Sequence, residues 1–211
     1  MPGGRLGSPV RRLAFRSRSG QEPPRAATVT ATPSLSGVSP SEWVVRFADL
    51  VPAGAPVLDV ACGGGRHTRW FLERGHPVTA VDRDTSGLAD LTGRAELEII
   101  ERDLEDGGAF PFGERTFGGV VVTNYLHRPI LGDLVAAVAD GGALLYETFA
   151  SGQERFGRPH NPDFLLRPGE LLDAVRGALR VAAYEDLVLA DPGPRAVQRI
   201  AAVRARPDRD A

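Results

Sequence analysis

The chain has 211 residues, a formal net charge of −2 and 42% hydrophobic residues, which is the composition of one ordinary globular domain. The small net charge argues against a nucleic-acid-binding polycation. The single cysteine, Cys62, excludes an intrachain disulfide and a multi-cysteine metal site. The chain contains no run of about 18 apolar residues, so we expect a cytoplasmic protein without a membrane partner.

The first part of the chain differs in composition from the rest. Residues 1–40 hold six arginines against one acid, Glu22, and are rich in Ser, Gly, Pro and Thr without apolar periodicity. We predict a disordered tail over 1–38, a folded domain over 39–205 and a disordered C-terminus over 206–211. A transit peptide or a non-specific nucleic-acid contact is the alternative role for the arginine-rich tail.

The folded part begins with a helix signal. Ser39 as N-cap, Pro40 at the first helical position and Glu42 three residues after the cap form a capping box. Apolar residues at helical spacing follow, and the helix is expected to end at Val51-Pro52.

Strands and helices then alternate along the chain. Predicted strands cover residues 56–61, 78–82, 97–100, 119–123, 143–149, 181–189 and 196–203. Predicted helices cover residues 66–74, 86–91, 129–139 and 168–178. This alternation predicts a doubly wound α/β fold with a mostly parallel, seven-stranded sheet. The last two strands have no helix between them, so they are expected to form an antiparallel hairpin at one edge.

Residues 150–168 are predicted to be a long loop without secondary structure. Loops of this length often form a lid over an active site, and Phe156 and Phe164 are candidates to shield the site from water.

A glycine cluster follows the first predicted strand in the pattern Asp59-x-Ala61-x-Gly63-x-Gly65. Glycines at this point let the backbone approach a ligand closely. No phosphate-binding G-x-x-x-x-G-K-[ST] loop is present, and the dinucleotide pattern G-x-G-x-x-G fails at Ala61 and Arg66.

Acidic residues end the next two predicted strands. Asp82 is placed to hydrogen-bond a ribose diol, and Asp103 is within plausible reach of an adenine edge. Two acids and a glycine loop, without phosphate-binding residues, favour an adenosine nucleoside as ligand.

These residues resemble the first motif of the class I S-adenosylmethionine-dependent methyltransferases, over roughly residues 41–205. Asp59, Gly63 and Gly65 match that motif, while Ala61 replaces its usual first glycine, so the backbone at Ala61 is expected to avoid positive φ. The resemblance implies a Rossmann-like methyltransferase fold with S-adenosyl-L-methionine as cofactor. It assigns cofactor binding to these four residues and to five others: Asp82 and Arg83 at the ribose, Asp103 and Leu104 at the adenine, and Asn124 near the methionine.

A narrower similarity points to small bacterial enzymes grouped with the tellurite-resistance methyltransferases. It is carried by the segments 123–129, 146–149, 152–164 and 166–171. This similarity implies a small single-domain enzyme without a large substrate-recognition insert, acting as a monomer or homodimer.

The methyl acceptor is predicted to be a small molecule, favoured to be a thiol or chalcogen nucleophile because such groups need little help from a base. His127 is the candidate base if one is needed, with Tyr125 as a second candidate catalytic residue, since both follow the fourth strand. Candidate acceptor-binding residues are Arg128, Glu147, Arg155 and His160. Arg158 is grouped with Arg128 and Arg155 as a candidate to bind an anionic acceptor, and each of these arginines could equally be a solvated surface residue. No metal and no specific nucleic acid are expected.

Two alternatives stay open. One is a nucleic-acid or protein methyltransferase that docks through the arginine-rich tail, although the [ND]-P-P-[YF] motif of amino-methylating nucleic-acid enzymes is absent after strand four. The other is a nucleoside-binding module without catalysis.

Overall fold

The computed structural model describes residues 39–207 of the chain. The disorder expected for 1–38 and for most of 206–211 therefore falls outside the described residues and stays a prediction. Within 39–207, the longest α-helix has seven residues, and no helix is long and apolar enough to cross a membrane.

Seven strands and four α-helices make up the described fold. The strands are β1 Val57–Val60, β2 Val78–Asp82, β3 Leu97–Glu101, β4 Phe117–Thr123, β5 Val138–Phe149, β6 Arg180–Leu189 and β7 Arg195–Val203. The α-helices are α1 Glu42–Phe47, α2 Arg66–Leu72, α3 Leu131–Ala136 and α4 Glu170–Val175. Short 3₁₀ turns cover Ala48–Leu50, Ser86–Leu91, Arg128–Ile130, Gln153–Arg155 and Pro162–Phe164.

The strands form one sheet with the order β3-β2-β1-β4-β5-β7-β6. Neighbours among β1 to β5 are parallel, whereas β7 is antiparallel to both β5 and β6. The predicted doubly wound, mostly parallel sheet with an antiparallel edge hairpin is confirmed. The carboxyl ends of the five parallel strands consequently meet at one edge of the sheet.

Helices cover both faces of the sheet, and each face has its own apolar core. On one face, α1 and α2 pack on the sheet in a cluster that contains Trp43, Phe71 and Leu145. On the other face, Leu134 of α3 and Leu171 of α4 belong to a second cluster. Coverage of both faces explains why β1 and β4 are buried along almost their whole length.

Helix α1 begins later than the sequence predicts. The N-cap is Ser41 rather than Ser39, and its hydroxyl accepts the Trp43 N–H at 3.1 Å. Tertiary contacts select this cap, because the Ser41 hydroxyl also donates to Glu147 at 2.9 Å and the Ser41 N–H donates to His67 Nε2 at 3.1 Å.

The helix predicted over 129–139 is also shorter than expected. Helix α3 ends at Ala136, and residues 138–142 open strand β5 instead of closing the helix. Val138 is level with Phe117 of β4, and the Gly141 N–H donates to the Arg204 carbonyl at 3.0 Å. In the sheet, these backbone groups form hydrogen bonds that they would lack at the end of a helix, so the strand is favoured over a longer helix.

Residues 150–168 are not the structureless loop that the sequence suggests. They contain two 3₁₀ turns, and a short parallel bridge joins the two ends of the segment. The buried Gln153 amide accepts the Ala196 N–H at 2.9 Å and donates to the Arg158 carbonyl at 3.1 Å. The segment is therefore anchored to β7 by a side chain that local sequence patterns do not single out.

Candidate functional site

A cavity of about 760 Å³ lies at the edge of the sheet where the parallel strands end. Small-molecule sites typically enclose roughly 300–1,000 Å³, so the cavity has the size of a ligand site. Each of β1 to β5 contributes a residue at or just beyond its carboxyl end: Ala61, Asp82, Asp103, Asn124 and Thr148. This edge is where doubly wound sheets bind their ligands.

The glycine loop, residues 61–65, turns the chain from β1 into α2. Ala61 has φ +51°, so the expectation that its backbone avoids positive φ is wrong. The next residue explains how this conformation is held, because the Cys62 N–H donates to the Val81 carbonyl of β2 at 3.1 Å. A backbone bond to the neighbouring strand thus fixes the first turn of the loop.

Two glycines bring the Ser86–Leu91 turn against this loop. At Gly65, which has φ +73°, a Cβ would lie 2.1 Å from Leu88 Cδ2. At Gly87, a Cβ would lie 2.8 Å from the Gly64 Cα. Larger residues at either position would push the turn and the loop apart, so Gly65 serves packing rather than the cavity wall.

Asp59 lies beneath the glycine loop and does not line the cavity. Its carboxylate is buried and accepts the Thr68 hydroxyl at 2.6 Å. Burial raises the pKa of Asp59 to about 6, and the bonds from Thr68 and the charge of Arg66 oppose that rise. Asp59 therefore joins β1 to α2, and its influence on a bound cofactor would pass through the loop.

Asp82 lies at the cavity wall with both carboxylate oxygens engaged. Oδ2 accepts the Gly63 N–H at 2.8 Å, and Oδ1 accepts the Asp84 N–H at 3.0 Å. Gly63 does not itself line the cavity but supplies this contact. Each carboxylate oxygen keeps a further lone pair for a ligand, so Asp82 is both oriented and able to accept hydroxyl groups.

The other predicted cofactor residues at the cavity wall are Ala61, Arg83, Asp103, Leu104 and Asn124. The Asp103 carboxylate accepts the Glu105 N–H at 2.9 Å, which orients it at the end of β3. Asn124 has φ +55°, and its N–H donates to the Glu147 carbonyl at 2.9 Å.

Tyr125 lines the cavity, and its hydroxyl is buried without a hydrogen-bond partner among residues 39–207. Burial raises the pKa of the phenol, and the carboxylates of Glu105 and Asp103 raise it further. The phenol is therefore protonated at neutral pH, which makes it a donor rather than a base. The backbone beneath it is fixed, because the Tyr146 hydroxyl donates to the Tyr125 carbonyl at 2.8 Å.

Of the other residues predicted to act on the acceptor, His160 and Arg158 reach the cavity. The remaining four lie elsewhere: His127, Arg128, Glu147 and Arg155. His127 begins the 3₁₀ turn after β4, and the Ile130 N–H donates to its carbonyl. Arg155 is exposed, with its guanidinium over the Phe156 ring. The imidazole at the cavity wall is thus that of His160.

The Glu147 side chain belongs to a network of hydrogen bonds and ion pairs on the α1 face of the sheet. It accepts the Ser41 hydroxyl and pairs with Arg199 at 3.2 Å, and Arg199 also pairs with Glu185 of β6. The side chains of Glu147 and Arg199 are only 12% and 13% exposed. Glu147 therefore joins α1 to the edge hairpin instead of facing an acceptor.

The Arg128 side chain is also engaged by other residues. We call its contacts with Glu170, Asp163 and Leu165 the Arg128 clasp. Its guanidinium pairs with Glu170 at 2.7 Å and donates to the Asp163 carbonyl at 2.6 Å and the Leu165 carbonyl at 2.8 Å. Burial alone would raise the pKa of Glu170, but the bonds from Arg128 and Arg167 outweigh it and hold that pKa at about 2. The clasp fixes the Pro162–Phe164 turn at the cavity wall.

Several wall residues were absent from the predicted site: Arg102, Glu105, Leu126, Thr148, Phe149, Pro159 and Asn161. The residues among them that lie at strand ends could have been predicted, because the rule that points to Asp82 and Asp103 also applies to them. Pro159 and Asn161 carry no such signal, because tertiary contacts decide where a loop lies.

Residues 57–142 match a family described as a methyltransferase domain. The matched range begins at β1 and contains the glycine loop and the cavity residues Asp82, Asp103 and Asn124. These residues therefore form a methyltransferase domain that resembles the class I S-adenosylmethionine-dependent methyltransferases. The resemblance inferred from the sequence is confirmed.

The chain is similar to methyltransferases that act on different substrates. It is 31% identical over 143 residues to the malonyl-[acyl-carrier protein] O-methyltransferase of Salmonella typhimurium, covering 58% of this chain and 53% of that protein. This chain covers between 14% and 53% of the length of the relatives that it matches.

Solved structures show the same fold. TehB from Haemophilus influenzae superposes with a TM-score of 0.61 at 20% identity, over 77% of this chain and 61% of that one. The 1,6-didemethyltoxoflavin-N1-methyltransferase of Burkholderia thailandensis, solved with S-adenosylhomocysteine, gives 0.59 at 22% identity, over 77% and 76%.

The residues of the cavity fit S-adenosylmethionine, the cofactor of the methyltransferases that the chain resembles. Carboxylates at the ends of β2 and β3 are suited to ribose hydroxyls and to an adenine amino group. The buried Tyr125 hydroxyl is a donor in need of an acceptor. No group of three or more His, Cys, Asp or Glu residues within 39–207 is arranged to hold a metal ion.

Proposed function

We propose that this methyltransferase methylates a small molecule bound in the same cavity as the cofactor. The proposal rests on the observation that the cavity has two distinct walls. Asp82 and Asp103 lie at the strand ends on the cofactor side, and the segment 158–164 forms a separate wall. A small acceptor enclosed beside the cofactor is favoured over a macromolecule by this arrangement.

Each residue of the site has a distinct part in this proposal. Asp82 binds the ribose and keeps the glycine loop in place, and Asp103 with Leu104 holds the adenine. Asn124 and Tyr125, at the end of β4, face the reacting part of the cofactor. When bound, S-adenosylmethionine supplies an electrophilic methyl group on a sulfonium sulfur.

The nucleophile is proposed to be a thiol or another chalcogen. His127 does not reach the cavity, and the raised pKa of Tyr125 keeps its phenol protonated, so neither residue supports removal of a proton from a hydroxyl or amine. A thiolate needs alignment and exclusion of water more than it needs a base. If the acceptor is a hydroxyl or amine, His160 is the candidate base.

Cofactor binding is the first test. Titration calorimetry with S-adenosylhomocysteine should give a dissociation constant in the micromolar range. Ligand at about 100 times that constant should add roughly 2.7 kcal/mol to the free energy of unfolding. Absence of binding would reject the proposed function.

The acceptor is sought with methyl-labelled cofactor against thiols, selenite, tellurite and small phenols, using the full chain and a variant lacking residues 1–38. We expect equal turnover by both proteins on the best small acceptor. Methylation of RNA or protein that is lost with residues 1–38 would favour the docking alternative. Cofactor binding without turnover on any acceptor would favour the non-catalytic module.

A further inference from the structure

We infer that the 158–164 wall is an anion-binding subsite, in which Arg158 recognises a carboxylate or similar oxyanion on the acceptor. The inference deepens the proposed function and rests on it for the identification of the bound molecule as a methyl acceptor. It names the substrate class as small organic molecules that combine an apolar body with an anionic group.

Of the three arginines at the cavity wall, Arg102 pairs with Asp106 at 3.1 Å, whereas Arg83 and Arg158 have no ion-pair partner in the described range. Arg83 directly follows Asp82 on the cofactor side, so Arg158 is the unpaired arginine of the 158–164 wall. Arg158 forms no ion pair and no side-chain hydrogen bond with any residue in the described range. A guanidinium with free donors at a cavity wall is suited to bind a carboxylate through two parallel bonds.

The backbone that carries Arg158 is held in place. Its carbonyl accepts the Gln153 amide at 3.1 Å, and Gln153, which is 4% exposed, also bonds to Ala196 of β7. At the other end of the wall, the Arg128 clasp fixes the turn before Leu165. A wall anchored at both ends loses little conformational entropy on binding, which favours recognition of a small ligand.

The neighbours of Arg158 indicate the rest of the acceptor. Pro159, Phe164 and Phe149 contribute apolar surface to the same cavity, and His160 and Asn161 add polar groups. Arg158 and Phe164 are both solvent-exposed, so the apolar body of a bound ligand would cover Phe164 while its charged end meets the guanidinium. The subsite therefore suits a small aromatic or aliphatic carboxylate rather than an inorganic ion alone.

The chain offers a matched control for the test. Arg155 belongs to the same segment and carries the same charge, but it lies outside the cavity. Comparing R158Q with R155Q separates a specific contact from a general loss of positive charge near the cavity. R158K keeps the charge but cannot form the two parallel bonds.

The experiment measures binding of matched probes to the full chain by ligand-observed NMR, with and without S-adenosylhomocysteine. The probes are benzoate against benzamide and 3-mercaptopropionate against its amide. We expect the carboxylates to bind about tenfold or more tightly than the amides, as one charge-assisted contact implies. R158Q should abolish this preference, R158K should reduce it, and R155Q should keep it.

Equal binding of carboxylates and amides by the natural protein, or a preference that survives in R158Q, would overturn the inference. Loss of the preference in R155Q as well would assign it to general charge and would also overturn it. These outcomes are independent of turnover, so they are distinct from failure of the proposed function, which shows as absence of S-adenosylhomocysteine binding or of methyl transfer.

Discussion

The Gly63 N–H donates to the Asp82 carboxylate at 2.8 Å, so the glycine loop and the acid at the end of β2 form one unit. Asp82→Ala removes this acceptor and the contact proposed for the ribose together. We expect S-adenosylhomocysteine affinity to fall by roughly 1.5–3 kcal/mol, because charge-assisted hydrogen bonds are lost. Calorimetric titration checks the affinity, and circular dichroism should show that the domain stays folded.

Asp82→Asn is the matched control for the two roles of this residue. Asparagine keeps one carbonyl oxygen for the Gly63 N–H but loses the charge and the acceptor for the Asp84 N–H, so the glycine loop should keep its place while the ribose contact weakens. We expect an affinity between those of the natural protein and Asp82→Ala. Unchanged affinity in a folded Asp82→Ala variant would show that the ribose does not bind at Asp82.

Substitution of Arg128 should destabilise the domain and disturb the acceptor side. Arg128→Met leaves the buried Glu170 carboxylate with Arg167 as its remaining ion-pair partner, which we expect to cost roughly 2–3 kcal/mol of unfolding free energy. Because the Pro162–Phe164 turn loses its clasp, the acceptor KM should rise while S-adenosylhomocysteine affinity changes little. Urea unfolding and steady-state kinetics measure the two effects.

Arg167→Gln is the control for this prediction, since Arg167 also contacts Glu170 but is 74% exposed. It should cost less than about 1 kcal/mol, as expected for a surface pair. An Arg128→Met variant with the stability and KM of the natural protein would show that the clasp does not position the wall.

His67 should make stability fall as the solution becomes acidic. Burial, with the nearby Arg66 charge, lowers its pKa to about 3, while the unfolded chain titrates near 6.5. Between these values only the unfolded state binds the proton, so the contribution of His67 is present above pH 6.5 and falls by about 1.4 kcal/mol per pH unit below it. His67→Gln should remove this dependence.

Asp59 has the opposite effect on the pH dependence of stability. The effect of His67 is therefore measured by comparing the natural protein with a variant rather than from the natural protein alone. Its pKa of about 6 exceeds the unfolded value of 3.8, and its contribution to stability therefore falls as pH rises from 3.8 to 6. The stability difference between the natural protein and His67→Gln, followed by urea unfolding from pH 7 to 4, isolates His67. A difference independent of pH would contradict the prediction.

His127→Ala should lower turnover by no more than about threefold, because His127 does not line the cavity, whereas loss of a general base typically costs about 10²–10⁴-fold. Turnover on the best acceptor from the methyl-transfer screen measures this, with His160→Ala as the comparison. A loss of about 100-fold in His127→Ala, with rescue by added imidazole, would establish His127 as the base after all.

The sequence alone determined the order of strands and helices and the place of the cofactor side. The strands of a doubly wound sheet are buried on both faces, so they appear as short apolar runs, and the residues after them must meet at one edge. For that reason the pattern of the chain is sufficient to assign Asp82 and Asp103 to the cavity, and the family resemblance adds Asn124.

Only the tertiary structure decided the acceptor side. His127 and Arg128 follow β4 within five residues, and Glu147 lies within β5 near its carboxyl end. Partners far away in the sequence nevertheless hold Arg128 at Glu170 and Glu147 at Arg199. Arg158 reaches the cavity because the buried amide of Gln153 holds its carbonyl. Such long-range contacts leave no periodic pattern in the chain, whereas the regular hydrogen bonding of the sheet does.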